Sequence, residues 1–169
     1  MEAIELENAI ELYGRPILRY CHSILCNYHD AQDAVQTTFI KAYGADYTGN
    51  TPLGPWLYRI AYHTCLDMMR KRRRFLRLLK STAETDERDD RYQSDSYPLE
   101  EPYMGDDIKT ALLTLSISDR ALVFNRVIDE MEYNELASIY NASPAALRKR
   151  YERAKKKLAK QLEGGTQNG

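Results

Sequence analysis

Residues 135–158, ELASIYNASPAALRKRYERAKKKL, have the pattern of two helices joined by a tight turn. Ser143 is a favourable N-cap because its hydroxyl can accept a hydrogen bond from a free backbone N–H, and Pro144 suits the first helical position. Ala137 is small enough for two helices to cross closely. Asn141, four residues later, belongs to the few non-glycine types that tolerate a left-handed turn. This spacing is typical of a helix-turn-helix, whose second helix enters the DNA major groove.

The second of these helices has an apolar stripe and a basic surface. Helical spacing places Leu147, Tyr151, Ala154 and Leu158 on one side. Between residues 144 and 160 there are eight basic residues and one acidic residue, a surplus that attracts phosphate. An antiparallel helical hairpin with a solvated basic face is the alternative interpretation. Nucleic-acid binding is the favoured one.

Charge is distributed unevenly along the 169 residues, although the net charge is only −1. Residues 81–107 contain ten acidic and two basic residues with little apolar periodicity, which predicts a flexible acidic linker. Residues 108–169 contain eleven basic and seven acidic residues. Export and membrane spanning are not expected, because there is neither a signal peptide nor a long apolar run.

Three cysteines, Cys21, Cys26 and Cys65, are an odd number and indicate reduced thiols and a cytoplasmic protein. With His22 and His29, the first two invite a metal-site interpretation. The turn expected at residue 27 would draw His29 away from the shared helical face, so neither a metal nor another cofactor is predicted. No set of residues with a recognisable catalytic motif occurs, and we do not expect an enzyme.

The N-terminal half predicts three helices. The first covers residues 4–25, with a kink or short break near Gly14 and Pro16. Asp30 is predicted to cap the second helix, which ends at residue 43. After a loop at residues 44–54, Pro55 opens a third helix that ends in the basic run RKRRR at residues 70–74.

Three motifs together resemble the bacterial sigma-70 family of RNA polymerase factors. Residues 30–42, DAQDAVQTTFIKA, resemble its core-binding helix, and residues 56–70, WLYRIAYHTCLDMMR, resemble the adjoining promoter-melting helix. Residues 135–158 resemble the helix-turn-helix that recognises promoters. The small size resembles the extracytoplasmic-function (group 4) class or a close divergent relative. Departures from the family pattern include Thr37 in place of Glu, His63 in place of Asn and Ser116 in place of Pro.

The resemblance implies an all-α fold of two small helical domains joined by a flexible acidic linker. The expected divisions are a region 2-like bundle at 1–78, a linker at 79–107, a region 4-like helix-turn-helix domain at 108–163 and a disordered tail at 164–169. The implied partners are core RNA polymerase, through its β′ clamp helices and β flap, promoter DNA and an anti-sigma protein.

The resemblance also implies three groups of binding residues. The residues implied to dock on core polymerase are Asp33, Gln36 and Thr37. Those implied to contact the −10 element are Tyr47, Tyr62, His63, Arg70 and Lys71. Those implied to recognise the −35 element are Arg148, Lys149, Glu152 and Arg153. Because Thr37 lacks the usual carboxylate, a helix-turn-helix regulator that does not act in initiation stays open as the alternative function.

Overall fold

The computed structural model describes residues 1–80 and 106–167, and all regular elements in these two ranges are α-helices. The chain divides into two compact units, whose described parts are residues 1–80 (the N-terminal unit) and 106–167 (the C-terminal unit). Most of the predicted acidic linker and the last residues of the predicted tail lie outside the described ranges. None of the described helices combines the length and apolar character needed to cross a membrane.

The N-terminal unit contains three helices, α1 (Ala3–Leu25), α2 (Tyr28–Gly44) and α3 (Leu53–Lys80), and each packs against the other two. The core side of α2 has small residues, which let its neighbours approach closely; these are Ala31, Ala34, Thr38 and Ala42, all fully buried. The Tyr20 and Tyr58 rings join α1 to α3 in an edge-to-face contact with centroids 5.0 Å apart. Gly54 lies so close to Tyr13 that an added Cβ would be 3.1 Å from that ring.

The structure corrects the predicted break in α1, the predicted cap of α2 and the predicted start of α3, which begins at Leu53 rather than Pro55. α1 continues through Pro16 without a break, because buried residues on both sides of it, Ala9 and Ile17, hold the helix against one core. The cap of α2 is Asn27 rather than Asp30, since the Asn27 side chain accepts a hydrogen bond from the Asp30 N–H at 2.9 Å. Asp30 is therefore inside the helix, where its carboxylate pairs with Arg72 of α3.

The C-terminal unit contains α4 (Asp106–Leu113), α5 (Ile117–Val127), α6 (Tyr133–Tyr140) and α7 (Pro144–Gln167), and the first three all pack against α7. Ser116 caps α5 by accepting from the Asp119 N–H at 3.3 Å. The buried Arg120 donates to the Leu112 and Leu115 carbonyls at 3.2 and 3.4 Å. α7 continues to Gln167, past residue 163, where the predicted domain ends.

The three cysteines are reduced and occupy different environments. Cys21 and Cys65 are fully buried, whereas Cys26 is half-buried at the C-cap of α1. A hydrogen bond with Cys65, together with burial, raises the pKa of the Cys21 thiol well above its ordinary value. Cys21 is therefore held as the protonated thiol at neutral pH.

We expect Cys26 to be the first cysteine modified by a thiol reagent in the native protein. Reaction needs a thiolate that the reagent can reach, and Cys26 is half-buried whereas Cys21 and Cys65 are fully buried. Mass spectrometry after brief alkylation should show one modified site, and three after denaturation. A Cys26→Ala protein should resist modification until it unfolds. Labelling of Cys21 at the rate of Cys26 would contradict this expectation.

Candidate functional site

The turn between α6 and α7 has the predicted local structure. Asn141 ends α6 in the left-handed conformation, with φ 50° and ψ 47°. The Ser143 hydroxyl accepts a hydrogen bond from the Ala146 N–H at 3.1 Å, and the Leu147 N–H donates to the Ser143 carbonyl at 3.0 Å. Both predictions for the turn are confirmed. Together these residues stop one helix and start the next within three residues, 141–143.

α7 turns its apolar stripe inward and its basic surface outward. Leu147 and Ala154 are buried, while Tyr151 and Leu158 are half-buried. The four residues predicted for −35 recognition, Arg148, Lys149, Glu152 and Arg153, are all exposed and line one shallow, open depression. The structure therefore brings this predicted set together on one accessible surface. Lys155, Lys156 and Lys157 extend the exposed basic surface along the helix.

Arg150 differs from the other basic residues at the start of α7. Its guanidinium lies 3.3 Å from the Asp119 carboxylate of α5, and both side chains are partly buried. This ion pair directs the Arg150 side chain toward α5. It acts in packing α7 against α5 rather than on the exposed surface.

Sequence reasoning missed an aromatic residue beside the exposed set. The guanidinium carbon of Arg148 lies 5.1 Å from the centre of the Tyr133 ring, and that of Arg126 lies 4.8 Å from the same centre. The Tyr151 ring also meets Tyr133 edge-on, at 6.5 Å. These residues come from α5, α6 and α7, so periodicity within one helix contains no signal for the cluster.

On α2, the residues predicted to dock on core polymerase share one face. Asp33 and Gln36 are exposed and Thr37 is half-buried, at the helical positions i, i+3 and i+4. Ile40, at i+7, continues the face and is 71% exposed, a large value for an apolar side chain. The face thus combines a carboxylate, an amide, a hydroxyl and one apolar group.

The aromatic residues predicted for the −10 element form two ring contacts. Tyr47, in the loop before α3, lies 4.7 Å from the Trp56 ring, and its hydroxyl donates to the Thr51 carbonyl at 2.6 Å. Tyr62 and His63 contact each other at 5.6 Å, with Tyr62 half-buried and His63 exposed. The Tyr47 ring is thus held by two contacts at the start of α3.

The basic residues of α3 have different environments. Arg70 and Lys71 are exposed, and Arg70 makes a 3.5 Å pair with Asp67 that is open to solvent and therefore weak. Arg72 points inward to Asp30, so the run at 70–74 is not one uniform cationic surface. Arg59, which sequence reasoning missed, is exposed and lies one turn from His63 on the same face; the i, i+4 spacing was the available signal.

Comparison with known proteins gives matches along most of the chain. The Sigma-70 region 2 family model matches residues 9–75. The ECF RNA polymerase sigma factor SigW of Bacillus subtilis is 28% identical over 161 residues, 90% of this chain and 86% of that protein. The RNA polymerase sigma factor YlaC of the same organism is 27% identical, covering 93% of this chain and 91% of that protein. Residues 9–75 of this chain belong to the Sigma-70 region 2 family, and both relatives that match nine-tenths of the chain are RNA polymerase sigma factors. Together with the fold, these matches support an extracytoplasmic-function factor of the sigma-70 family.

Other sigma factors match over shorter shares of their length. The ECF RNA polymerase sigma factor SigG of Mycobacterium tuberculosis is 41% identical over 66 residues, which are 38% of this chain and 18% of that protein. Because the region 2 match includes residues 33–71, it contains every residue predicted for polymerase and −10 contacts in this chain. The C-terminal unit lies outside the region 2 match.

Solved structures share the fold of this chain. The sigma factor RpoE, crystallised with the anti-sigma factor NepR from Bartonella quintana, has a TM-score of 0.76 at 21% identity; the match covers 94% of this chain and 97% of that one. CnrH, solved with the cytosolic domain of CnrY, has a TM-score of 0.69 at 22% identity, covering 96% and 90%. The all-α fold predicted from the sequence is confirmed.

Proposed function

We propose that this protein is a sigma factor that binds core RNA polymerase and directs promoter-specific transcription initiation. The observation that carries the proposal is the match to SigW and YlaC, named RNA polymerase sigma factors, over nine-tenths of this chain. Polymerase performs the chemistry, so the chain itself is not an enzyme. Its site of action is accordingly the cytoplasm.

Docking on polymerase is assigned to the exposed face of α2. Asp33 can accept two parallel hydrogen bonds from an arginine of the β′ clamp helices, and Gln36 offers both a donor and an acceptor beside it. Ile40 adds apolar area that is otherwise exposed to water. Thr37 replaces the family's Glu, so this chain relies on Asp33 for the negative charge of the face.

Promoter opening is assigned to the aromatic and basic groups at the loop before α3 and along that helix. Bases of a separated strand stack on rings, while cations follow the backbone phosphates. Tyr47, Tyr62 and His63 supply the rings, and Arg70 and Lys71 supply the cations. The Tyr47–Trp56 contact supports this assignment because it holds one ring at the edge of the loop.

Recognition of the −35 element is assigned to the exposed start of α7. Arg148, Lys149 and Arg153 can donate to guanine O6 and N7, and Glu152 can accept from cytosine N4. Lys155, Lys156 and Lys157 contact phosphate and carry no sequence information. The β flap of polymerase and an anti-sigma protein complete the proposed set of partners, as the family implies.

The proposal is tested by transcription with purified core polymerase that lacks any sigma factor. The full chain is mixed with core and a library of genomic fragments, and the 5′ ends of the transcripts are mapped. Defined start sites that require the added chain are expected. If core neither binds the chain nor starts transcription, while the chain alone still shifts specific duplexes, the helix-turn-helix regulator becomes the supported function.

Two exposed residues of α7 should respond differently to truncation. Arg153→Ala is expected to cost about 1–3 kcal/mol on the best promoter and to relax the preference for one base pair. Lys156→Ala is expected to weaken binding to all sequences alike and to lower the slope of log affinity against log salt by about 1. Binding of holoenzyme to a panel of −35 variants at several salt concentrations measures both effects. Identical profiles for the two variants would contradict the assignment.

A further inference from the structure

The cluster around Tyr133 joins three helices of the C-terminal unit. Arg126 of α5 and Arg148 of α7 place their guanidinium carbons 4.8 and 5.1 Å from the centre of the Tyr133 ring, which belongs to the first residue of α6. A cation within about 6 Å of a ring centre is attracted by the ring's quadrupole. One ring therefore contacts two guanidinium groups of like charge beside the exposed surface of α7.

Tyr133 is itself held in position. The Tyr151 ring of α7 meets it edge-on at 6.5 Å, with an angle of 66° between the ring planes. On the other helix, the Arg126 guanidinium donates to the Met131 carbonyl at 3.0 Å, which ties that side chain to the turn before α6. Tyr133 is only half-buried, so its ring is accessible at the edge of the exposed surface of α7.

The contact with Tyr133 restricts the orientation of the Arg148 guanidinium. Arg148 is exposed, and an exposed arginine side chain loses rotamer entropy when a ligand immobilises it. The Tyr133 ring restricts the guanidinium before any ligand binds. A planar donor pair held in advance suits guanine, which presents O6 and N7 together at the edge of the major groove.

We propose that Tyr133 is a positioning residue: it sets the orientation of the Arg148 guanidinium and so contributes to the preference for guanine at one position of the duplex recognised by α7. The inference rests on the proposed function for the identity of that duplex as the −35 element. Tyr133 acts through Arg148 and need not contact a base itself.

The test compares holoenzymes made with the full chain. Wild type, Tyr133→Phe, Tyr133→Leu, Arg148→Ala and the Tyr133→Leu/Arg148→Ala double variant are bound to duplexes that carry each base pair at each −35 position. Tyr133→Leu should lower the guanine preference by roughly two- to fivefold, at the same position that Arg148→Ala affects. Tyr133→Phe keeps the ring and should retain the preference.

The double variant separates positioning from a purely structural role. If Tyr133 acts through Arg148, Tyr133→Leu should change nothing further once Arg148 is alanine. A loss that persists undiminished in the Arg148→Ala background overturns the inference, as does an unchanged preference in Tyr133→Leu. Absence of specific initiation by the wild-type holoenzyme instead overturns the proposed function, and with it the assignment to the −35 element.

A measurement on the wild-type chain does not depend on whether the variants fold. Side-chain NMR of Arg148 in the wild type should show ring-current shifts of its methylene protons near the guanidinium. Random-coil shifts for Arg148 in the wild type would overturn the inference directly.

Discussion

An Asp33→Arg protein is expected to lose promoter-directed transcription with core polymerase while remaining folded. Asp33 is exposed on α2, and surface substitutions at such positions change stability by at most about 0.5 kcal/mol. At the proposed interface the same change removes a charge-assisted hydrogen bond and places a cation against a cation. Truncating one partner of such a pair costs about 2–5 kcal/mol, and reversal adds repulsion, so core affinity should fall by roughly a hundredfold or more.

The matched control is Glu7→Arg. Glu7 is exposed on α1, and its reversal changes the net charge of the chain by the same amount. Core affinity, measured by fluorescence anisotropy of labelled chain, and run-off transcription should both stay near wild type for this variant. Equal losses in the two variants would indicate a general effect of net charge. Full activity of Asp33→Arg would contradict the assignment of α2 as the docking face.

A Leu147→Ala protein is expected to lose the folded C-terminal unit while the N-terminal unit stays intact. Leu147 is fully buried near the start of α7, the helix on which α4, α5 and α6 all pack. Removing a fully buried leucine side chain costs about 2–5 kcal/mol. The free energy of unfolding of a small helical unit is only a few kilocalories per mole, because small domains bury a small share of their surface. Promoter recognition through α7 should therefore fail even though no DNA-contacting residue is altered.

Hydrogen–deuterium exchange with mass spectrometry measures this effect in each unit separately. Peptides from residues 106–167 should lose protection in Leu147→Ala, while peptides from residues 1–80 should not change, since the contacts divide into two compact units. Leu162→Ala makes the same chemical change on the same helix at a side chain that is 41% exposed, and should cost much less. Loss of protection across both units would contradict the expectation.

The sequence predicted much of the proposed −35 surface. The positions of Asn141, Ser143 and Pro144 define the turn through backbone conformation and capping, which are local properties. The period of Leu147 and Ala154 then determines which side of α7 is buried. Because the exposed side follows from the buried one, the accessibility of Lys149 and Arg153 could be foreseen without any tertiary information.

Contacts between helices could not be foreseen in the same way. Asp30 and Asn27 are both good caps, and the sequence analysis favoured Asp30. The local sequence could not show that Asp30 pairs instead with Arg72, because Arg72 is 42 residues away along the chain. Likewise, residues 70–74 form one basic run in the sequence, but packing against α2 turns Arg72 inward and leaves Arg70 and Lys71 exposed. The number of charged residues in a stretch of sequence does not show which helix each of their side chains will contact in the fold.

The sequence by itself determined most of the helical segments in the two units, where the α6–α7 turn lies and which residues of α2 and α7 remain accessible. These properties follow from capping, turn conformation and helical period, all of which act within a few residues. The tertiary structure alone decided that α1 continues through Pro16, that Asp30 pairs with Arg72 and that the Tyr133 ring contacts both Arg126 and Arg148. Each of these depends on surfaces distant in sequence meeting in space, and their energies exist only after the helices have packed.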